Sequence, residues 1–355
     1  MEKIVVFTPT LNIGGIERIL LTYARGLAEK RYEVTYLTLS DQGDFESQSY
    51  GYLVFENLGV TRLRKALFAL VGFFKKNKPD IILCANEATM MVYIAKVLSG
   101  ISSKIITSQH NYYENYLKMT FIKTFVPRYI YPRCFKVVAV SEGIRSMLIN
   151  DFNNRPDNVV TISNPVDMNY IQEQALLPIT DVPDDYILFV GRLDKVKNIS
   201  LLIDTFKLFN QSFATVKLLI VGGGPELDSM KRRIVELGLE SEVKILGVKS
   251  NPFPYIKQAR IIVLSSFSEA FPTVLLESLV LGKTIVSTPT SGGIDILKNG
   301  KYGYLSNSVR ESGDFYDKLV EAYNKPFDSK IVSGYALSNY NLNRKIEELE
   351  CLWKG

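Results

Sequence analysis

Short apolar runs alternate along the chain with longer stretches in which apolar residues recur every three or four positions. "KIVVFT" is followed by "GIERILLTYARGLAEK", "PDIILCA" by "ATMMVYIAKVLS" and "KVVAVS" by "EGIRSMLIN", with "EVTYLTL", "KIITSQ" and "VVTIS" as further strand candidates. Apolar strands interleaved with amphipathic helices are what a parallel sheet covered on both faces requires. Between 165 and 185, "PVDMNYIQEQALLPITDVPDD" breaks the rhythm with three prolines and several acids, and we expect a linker there. The alternation then resumes with "YILFVG" and a helix from Asn198, "VKLLIVG" and a helix after Pro225, "VKILG", "ARIIVLSS" and a helix from Pro272, and "TIVSTP". The end, "NLNRKIEELECLWK", has the spacing of an amphipathic helix.

The pattern therefore predicts an α/β protein of two doubly wound, Rossmann-like domains, at 1–164 and 186–335, with a linker at 165–185 and a terminal helical segment at 336–355 that packs back on the first domain. A length of 355 residues suits two such cores. No period of 20 to 50 residues suggests a solenoid. Two open sheets joined in this way are expected to leave a cleft at the carboxyl ends of their strands, where α/β folds bind ligands.

Charge and cysteine content narrow the setting. Cys84, Cys134 and Cys351 are few, distant and outside any C-x-x-C, which points to a reducing cytosol and to neither a disulfide framework nor a zinc knuckle. The first residues, "MEKIVVFTPT", have no signal-peptide pattern, and the longest uncharged apolar run, residues 66 to 74, is about half a bilayer span, so no integral membrane segment is expected. The net charge of +5 is uneven: residues 62 to 136 hold 13 Lys and Arg against 3 Asp and Glu. That segment is expected to face something anionic: a membrane surface, a phosphate-bearing substrate or nucleic acid.

Candidate chemistry sits at the strand ends. In "SSFSEAFPTVLLES", Glu269 follows a buried strand and Glu277 lies inside the helix that Pro272 opens as its first residue and Gly282 closes. Backbone amides of Ala270, Phe271 and Thr273 at that helix start form an anion site. Flanking carboxylates suit the vicinal hydroxyls of sugars. In "FVGRLDKVKN", Arg192 and Lys197 follow another strand, with Asn198 as the expected N-cap. Gly222 to Gly224 in "LLIVGGGPE" read either as a tight turn or as a backbone approach to phosphate, the third glycine of a dinucleotide fingerprint being replaced by Leu227. Gly14 and Gly15 end the first strand in the same manner. His110, the one histidine, closes the fourth predicted strand in "SQHNYY".

Taken in order, G-G-x-E-R at Gly14 to Arg18, "SNPVD", "GRLDKVKN", "VGGGPE" and the E-x7-E pair Glu269 and Glu277 resemble retaining glycosyltransferases of family 4 over essentially the full length. The resemblance implies the GT-B fold of two facing Rossmann-like domains. It implies that Arg192 and Lys197 bind the donor diphosphate, that Glu277 holds the nucleotide ribose, and that Glu269 with the backbone of Ala270, Phe271, Pro272 and Thr273 contacts the donor sugar and phosphates. Gly14, Gly15, Gly222, Gly247 and Val248 complete the expected donor site, and His110 matches a position near the reaction centre. Ala270 departs from the family's usual E-G-F-G or E-G-F-P loop.

Transfer of a glycosyl group moves negative charge onto the departing diphosphate, which Arg192, Lys197 and a helix N-terminus can stabilise. With no D-x-D triplet and no histidine cluster in the sequence, neither a metal nor another cofactor is expected beyond the nucleotide sugar as co-substrate. Arg64, Lys65, Lys75 and Lys76 around "ALFALVGFF", with Lys123 and Arg128 further on, suit either an acceptor's phosphates or an anionic bilayer surface, or else mark a solvated helix packed on its sheet. The resemblance implies a lipid-linked glycan acceptor and a peripheral protein on the cytoplasmic face of the inner membrane; the sequence holds no recognised nucleic-acid module, so no nucleic-acid partner is expected. A non-hydrolysing nucleotide-sugar epimerase shares the architecture but needs further acids and bases than one histidine provides; a non-catalytic nucleotide-binding protein is a third reading.

Overall fold

The computed structural model describes residues 2–9, 15–39, 51–60, 63–113, 121–180 and 182–354, with the backbone alone at 63 and 64. The chain divides into two compact units, Met1–Pro165 with Leu342–Gly355, and Val166–Asn341.

The first unit is built on β1 (Lys3–Phe7), β2 (Glu33–Thr38), β3 (Leu53–Asn57), β4 (Ile81–Ala85), β5 (Lys104–Gln109), β6 (Lys136–Ala139) and β7 (Val159–Thr161), hydrogen-bonded in the order β3-β2-β1-β4-β5-β6-β7 and all parallel. Helices α1 (Gly15–Glu29), α2 (Leu63–Asn77), α3 (Ala88–Ser99), α4 (Phe121–Phe125) and α5 (Glu142–Asn150) alternate with the strands. β4 is buried at every position, which is why it reads as an unbroken apolar run. β3 did not stand out in the sequence because it is an edge strand: Leu53 is buried while Val54 and Glu56 are exposed. With β3 counted, His110 follows the fifth strand, not the fourth.

The second unit opens with α6 (Met168–Gln174), inside the segment read as a linker; the Asp167 side chain caps it by accepting from the Tyr170 amide at 3.0 Å. Then come β8 (Tyr186–Val190), α7 (Ile199–Ser212), β9 (Lys217–Val221), α8 (Leu227–Glu236), β10 (Val243–Gly247), α9 (Phe253–Gln258), β11 (Ile261–Leu264), α10 (Thr273–Val280), β12 (Thr284–Ser287), α11 (Ser291–Leu297), β13 (Tyr304–Leu305), α12 (Ser312–Asn324) and α13 (Ser329–Tyr340). The strands are parallel in the order β10-β9-β8-β11-β12-β13. In both sheets the order reverses once, at β1/β4 and at β8/β11, and such switch points are where doubly wound sheets bind ligands at their carboxyl ends.

The last helix, α14 (Leu342–Lys354), belongs to the first unit; residues 336–340 of the expected terminal segment belong instead to α13. Ile346, Leu349 and Trp353 are buried against α1 and its sheet, each such side chain contributing about 1.5 to 3 kcal/mol. Glu350 accepts hydrogen bonds from Lys30 at 2.7 Å, Tyr32 at 2.5 Å and Lys354 at 3.0 Å. Burial by itself would raise this carboxyl, but those three donors outweigh it and hold the pKa down at about 2. Gly26 of α1 leaves room for the contact: a Cβ there would stand 2.1 Å from the Ile346 Cδ1.

Candidate donor site

In the second unit, four loops at the carboxyl ends of β8, β9, β11 and β12 are laced together. After β8, Gly191 N donates to Val221 O at 3.0 Å and Leu193 N to Gly223 O at 2.9 Å. This contact requires glycine: a Cβ on Gly222 would lie 1.9 Å from Gly191 O, and one on Gly224 2.4 Å from Leu193 O. The three glycines thus form a tight strand-to-helix turn pressed on the Arg192 loop, so the packing reading of that motif is sufficient for Gly222 and Gly224. Gly222 N also donates to Gly247 O at 2.9 Å, and Gly247, with φ of 70°, turns the chain so that Val248 stands 78% exposed beside Gly223.

Asp194 caps a single 3-10 turn, Lys195–Lys197, by accepting from the amides of Val196 at 3.1 Å and Lys197 at 3.3 Å. Asn198 occupies the position before α7 but in the left-handed region, and its side chain does not cap; it donates to Val309 O at 2.8 Å. The cap in this loop is therefore Asp194, four residues earlier. The turn delivers Lys197 to Glu269: the ammonium pairs with Oε1 of the carboxylate, both side chains being mostly buried. Arg192 behaves differently, with its side chain 74% exposed and its Nε 3.9 Å from Asp194 Oδ2.

The acidic loop is pinned on both sides. Ser265 Oγ donates to Lys197 O at 2.8 Å and Phe267 N to Val196 O at 2.8 Å, while Gly292 N of α11 donates to Glu269 O at 2.8 Å. A Cβ on Gly292 would lie 2.5 Å from Ala270 O, so glycine is needed there too. Pro272 sits at the N-cap position and α10 begins at Thr273, one residue later than expected. Phe271 and Pro272 are buried, and Glu277 lies partly exposed on the second turn of α10. Among the described residues, the amides of Ala270, Phe271 and Thr273 donate to no protein acceptor. Three open donors at a helix start, directly after a carboxylate that holds the mostly buried Lys197 ammonium, are equipped to receive an anion.

In the first unit, Gly15 opens α1 with no atom within 4 Å of a Cβ placed there; Gly14 lies outside the described residues. His110 follows β5, with its amide donating to Asn86 Oδ1 at 2.9 Å and its Nε2 2.8 Å from Ser108 Oγ. Burial lowers its pKa to about 4, so the imidazole is neutral near pH 7. Lys65, Lys75 and Lys76 are exposed on α2, Lys123 is partly buried on α4 and Arg128 is exposed in the π turn that follows; the Arg64 side chain lies outside the described residues.

Sequence motifs did not single out Asp194, Ser266 or Gly292. Asp194 had a signal, an aspartate three residues before Lys197 at a turn start. Gly292 is hinted at by the glycine pair of "TSGG", and Ser266 by nothing.

Known proteins agree with this architecture. Residues 13–170 match the model of Glycosyltransferase Family 4, and residues 179–334 that of Glycosyl transferases group 1. The chain is thus a glycosyltransferase, family 4 in its first domain and group 1 in its second. It is 27% identical to the N-acetylgalactosamine-N,N'-diacetylbacillosaminyl-diphospho-undecaprenol 4-alpha-N-acetylgalactosaminyltransferase of Campylobacter jejuni, over 91% of this chain and 93% of that one. A second Campylobacter jejuni protein, GalNAc-alpha-(1->4)-GalNAc-alpha-(1->3)-diNAcBac-PP-undecaprenol alpha-1,4-N-acetyl-D-galactosaminyltransferase, is 27% identical over 86% of this chain and 84% of its own. Among solved structures, Anabaena HepE in complex with UDP and glucose superposes with a TM-score of 0.79 at 17% identity, covering 99% of this chain and 98% of that one. That likeness establishes the fold, GT-B.

Proposed function

We propose that the enzyme transfers a hexose or N-acetylhexosamine from a UDP-sugar, with retention and without a metal, to a polyprenyl-diphosphate-linked glycan in bacterial surface polysaccharide or glycan synthesis. The observation that carries this reading is the meeting of Lys197 with Glu269 beside the open amides of Ala270, Phe271 and Thr273. As the bond from the anomeric carbon to the diphosphate oxygen breaks, its electron pair goes to the diphosphate. Arg192, Lys197 and the α10 amides stabilise that charge, a preorganised donor of this kind being worth about 3 to 4 kcal/mol. The acceptor hydroxyl attacks from the same face, and a leaving phosphate oxygen takes its proton. Glu269 accepts from sugar hydroxyls, Glu277 from the ribose, and Val248 offers an apolar surface to the base. His110, as a neutral imidazole, serves the sugar as a hydrogen-bonding partner. UDP is favoured by its presence in the complex with the similar Anabaena protein, and a lipid-linked acceptor by what the Campylobacter relatives are named for.

Peripheral attachment to an anionic membrane surface on the cytoplasmic side belongs to the same proposal. α2, α3 and residues 121–136 contain nine Lys and Arg and no acid. They expose Phe68 (75%), Val97 (60%) and Phe121 (74%). Among the described residues no helix is long and apolar enough to cross a membrane. The test is incubation with UDP-N-acetylglucosamine or UDP-N-acetylgalactosamine and an undecaprenyl-diphosphate-linked saccharide. Extension of the saccharide by one residue is expected; epimerised nucleotide sugar without extension would instead favour the epimerase reading.

A further inference from the structure

We infer that Ser266 is a positioning residue that fixes which oxygen of Glu269 faces the donor. Ser266 is fully buried, two residues past the end of β11, and its hydroxyl donates to Glu269 Oε1 at 2.8 Å. The Lys197 ammonium pairs with that same oxygen. Two donors therefore converge on Oε1, while among the described residues no protein donor approaches Oε2. The serine is itself held: its carbonyl accepts from Thr288 Oγ1 at 2.6 Å, and Thr288 N donates to Leu264 O at 2.9 Å. At the other end of the loop the Glu269 carbonyl is fixed by Gly292 N. Backbone and carboxylate are thus tied to β12 and α11 independently of Lys197.

That independence gives Ser266 its role. A diphosphate carries at least two negative charges to the single one of Glu269, and the approaching donor draws the Lys197 ammonium toward itself. A carboxylate held by Lys197 alone would then be free to rotate. With Ser266 on Oε1 it stays in place, and Oε2 remains the oxygen offered to a sugar hydroxyl. The hydroxyl touches no substrate; it acts through Glu269. This rests on the reading that Glu269 contacts the donor sugar.

The test uses the whole 355-residue chain with three probes, UDP and the C4-epimeric pair UDP-N-acetylglucosamine and UDP-N-acetylgalactosamine, following slow donor hydrolysis by UDP release. Ser266→Ala is expected to lower kcat about tenfold for the better donor, to narrow its preference over the epimer, and to leave the Kd for UDP, which has no sugar, within twofold. Ser266→Thr is expected to restore most of the rate. In a Glu269→Gln background, Ser266→Ala is expected to change little. A fall in UDP affinity that tracks a fall in Tm would make Ser266 a packing residue and overturn the inference, as would an equal rate loss in both backgrounds. If Glu269→Gln alone leaves kcat and donor preference unchanged, it is the role of Glu269 that fails. If Glu269→Gln is impaired while Ser266→Ala is normal, only the role of Ser266 fails.

Discussion

Lys197 meets Glu269 in the structure, so on the proposed reading a donor diphosphate competes with a carboxylate for this ammonium, whereas Arg192 is exposed and only loosely drawn to Asp194. The two cations therefore differ in what they lose on substitution. Lys197→Ala and Arg192→Ala are each expected to reduce turnover at least a hundredfold. Lys197→Ala also leaves the mostly buried Glu269 carboxylate without its cation and is expected to lower Tm, which Arg192→Ala is not; steady-state rates and thermal melts on both variants check this. His110 supplies a prediction in pH. Its pKa falls from an ordinary 6.5 to about 4 in the folded state, so between these values the unfolded chain binds more protons and stability declines as pH falls. His110→Gln is expected to flatten the Tm profile across that window, while the contribution of Glu350, with its pKa held near 2, is lost only below about 4.5. Spacing in the sequence was enough to mark Lys197 and Glu269, because a strand end followed by a helix start fixes where each side chain leaves the backbone. It was not enough for Ser266, whose importance lies in a contact with a neighbour three residues away across a bend. Nor could it show that Gly222 and Gly224 are dictated by the backbone of the Arg192 loop.

Among the elements, the α14 contact with α1 is the most sensitive to small changes. Ile346 is fully buried, and its Cδ1 occupies the space a Cβ on Gly26 would need, with Leu342 Cδ2 at 3.3 Å from that Cβ. Alanine would gain up to about 1 kcal/mol of helix propensity at this site, against roughly 1 to 3 kcal/mol of overpacking. Gly26→Ala is therefore expected to be destabilising by about 1 kcal/mol in urea denaturation. Adding Ile346→Val, which removes Cδ1, is expected to recover that loss; additive losses in the double variant would contradict the packing argument. Elements buried on both faces were legible because their sequences are continuously apolar, as β4 is. The edge strand β3 and the helix α6 were not. β3 alternates too briefly to stand out, and α6 is a two-turn helix among prolines whose stability depends on the Asp167 cap and on burial of Met168 and Ile171.

At the scale of the molecule, the chain builds the Rossmann strand order twice, and the two copies carry different charge. The acid-free α2, α3 and 121–136 region lies wholly in the first unit, and the laced cation and carboxylate loops wholly in the second. Replacing Lys75 and Lys76 by Ala is expected to weaken sedimentation with anionic phosphatidylglycerol vesicles about thirtyfold at low salt, taking about 1 kcal/mol per cation, and to leave donor hydrolysis unchanged. Equal binding by the variant would remove this surface from the proposal. Whether Arg192 and Lys197 serve one diphosphate is decided by calorimetric titration of UDP and of uridine into the wild type and the two alanine variants. Each substitution is expected to weaken UDP binding at least tenfold and to leave uridine binding unchanged. UDP affinity indifferent to both substitutions would contradict that shared role.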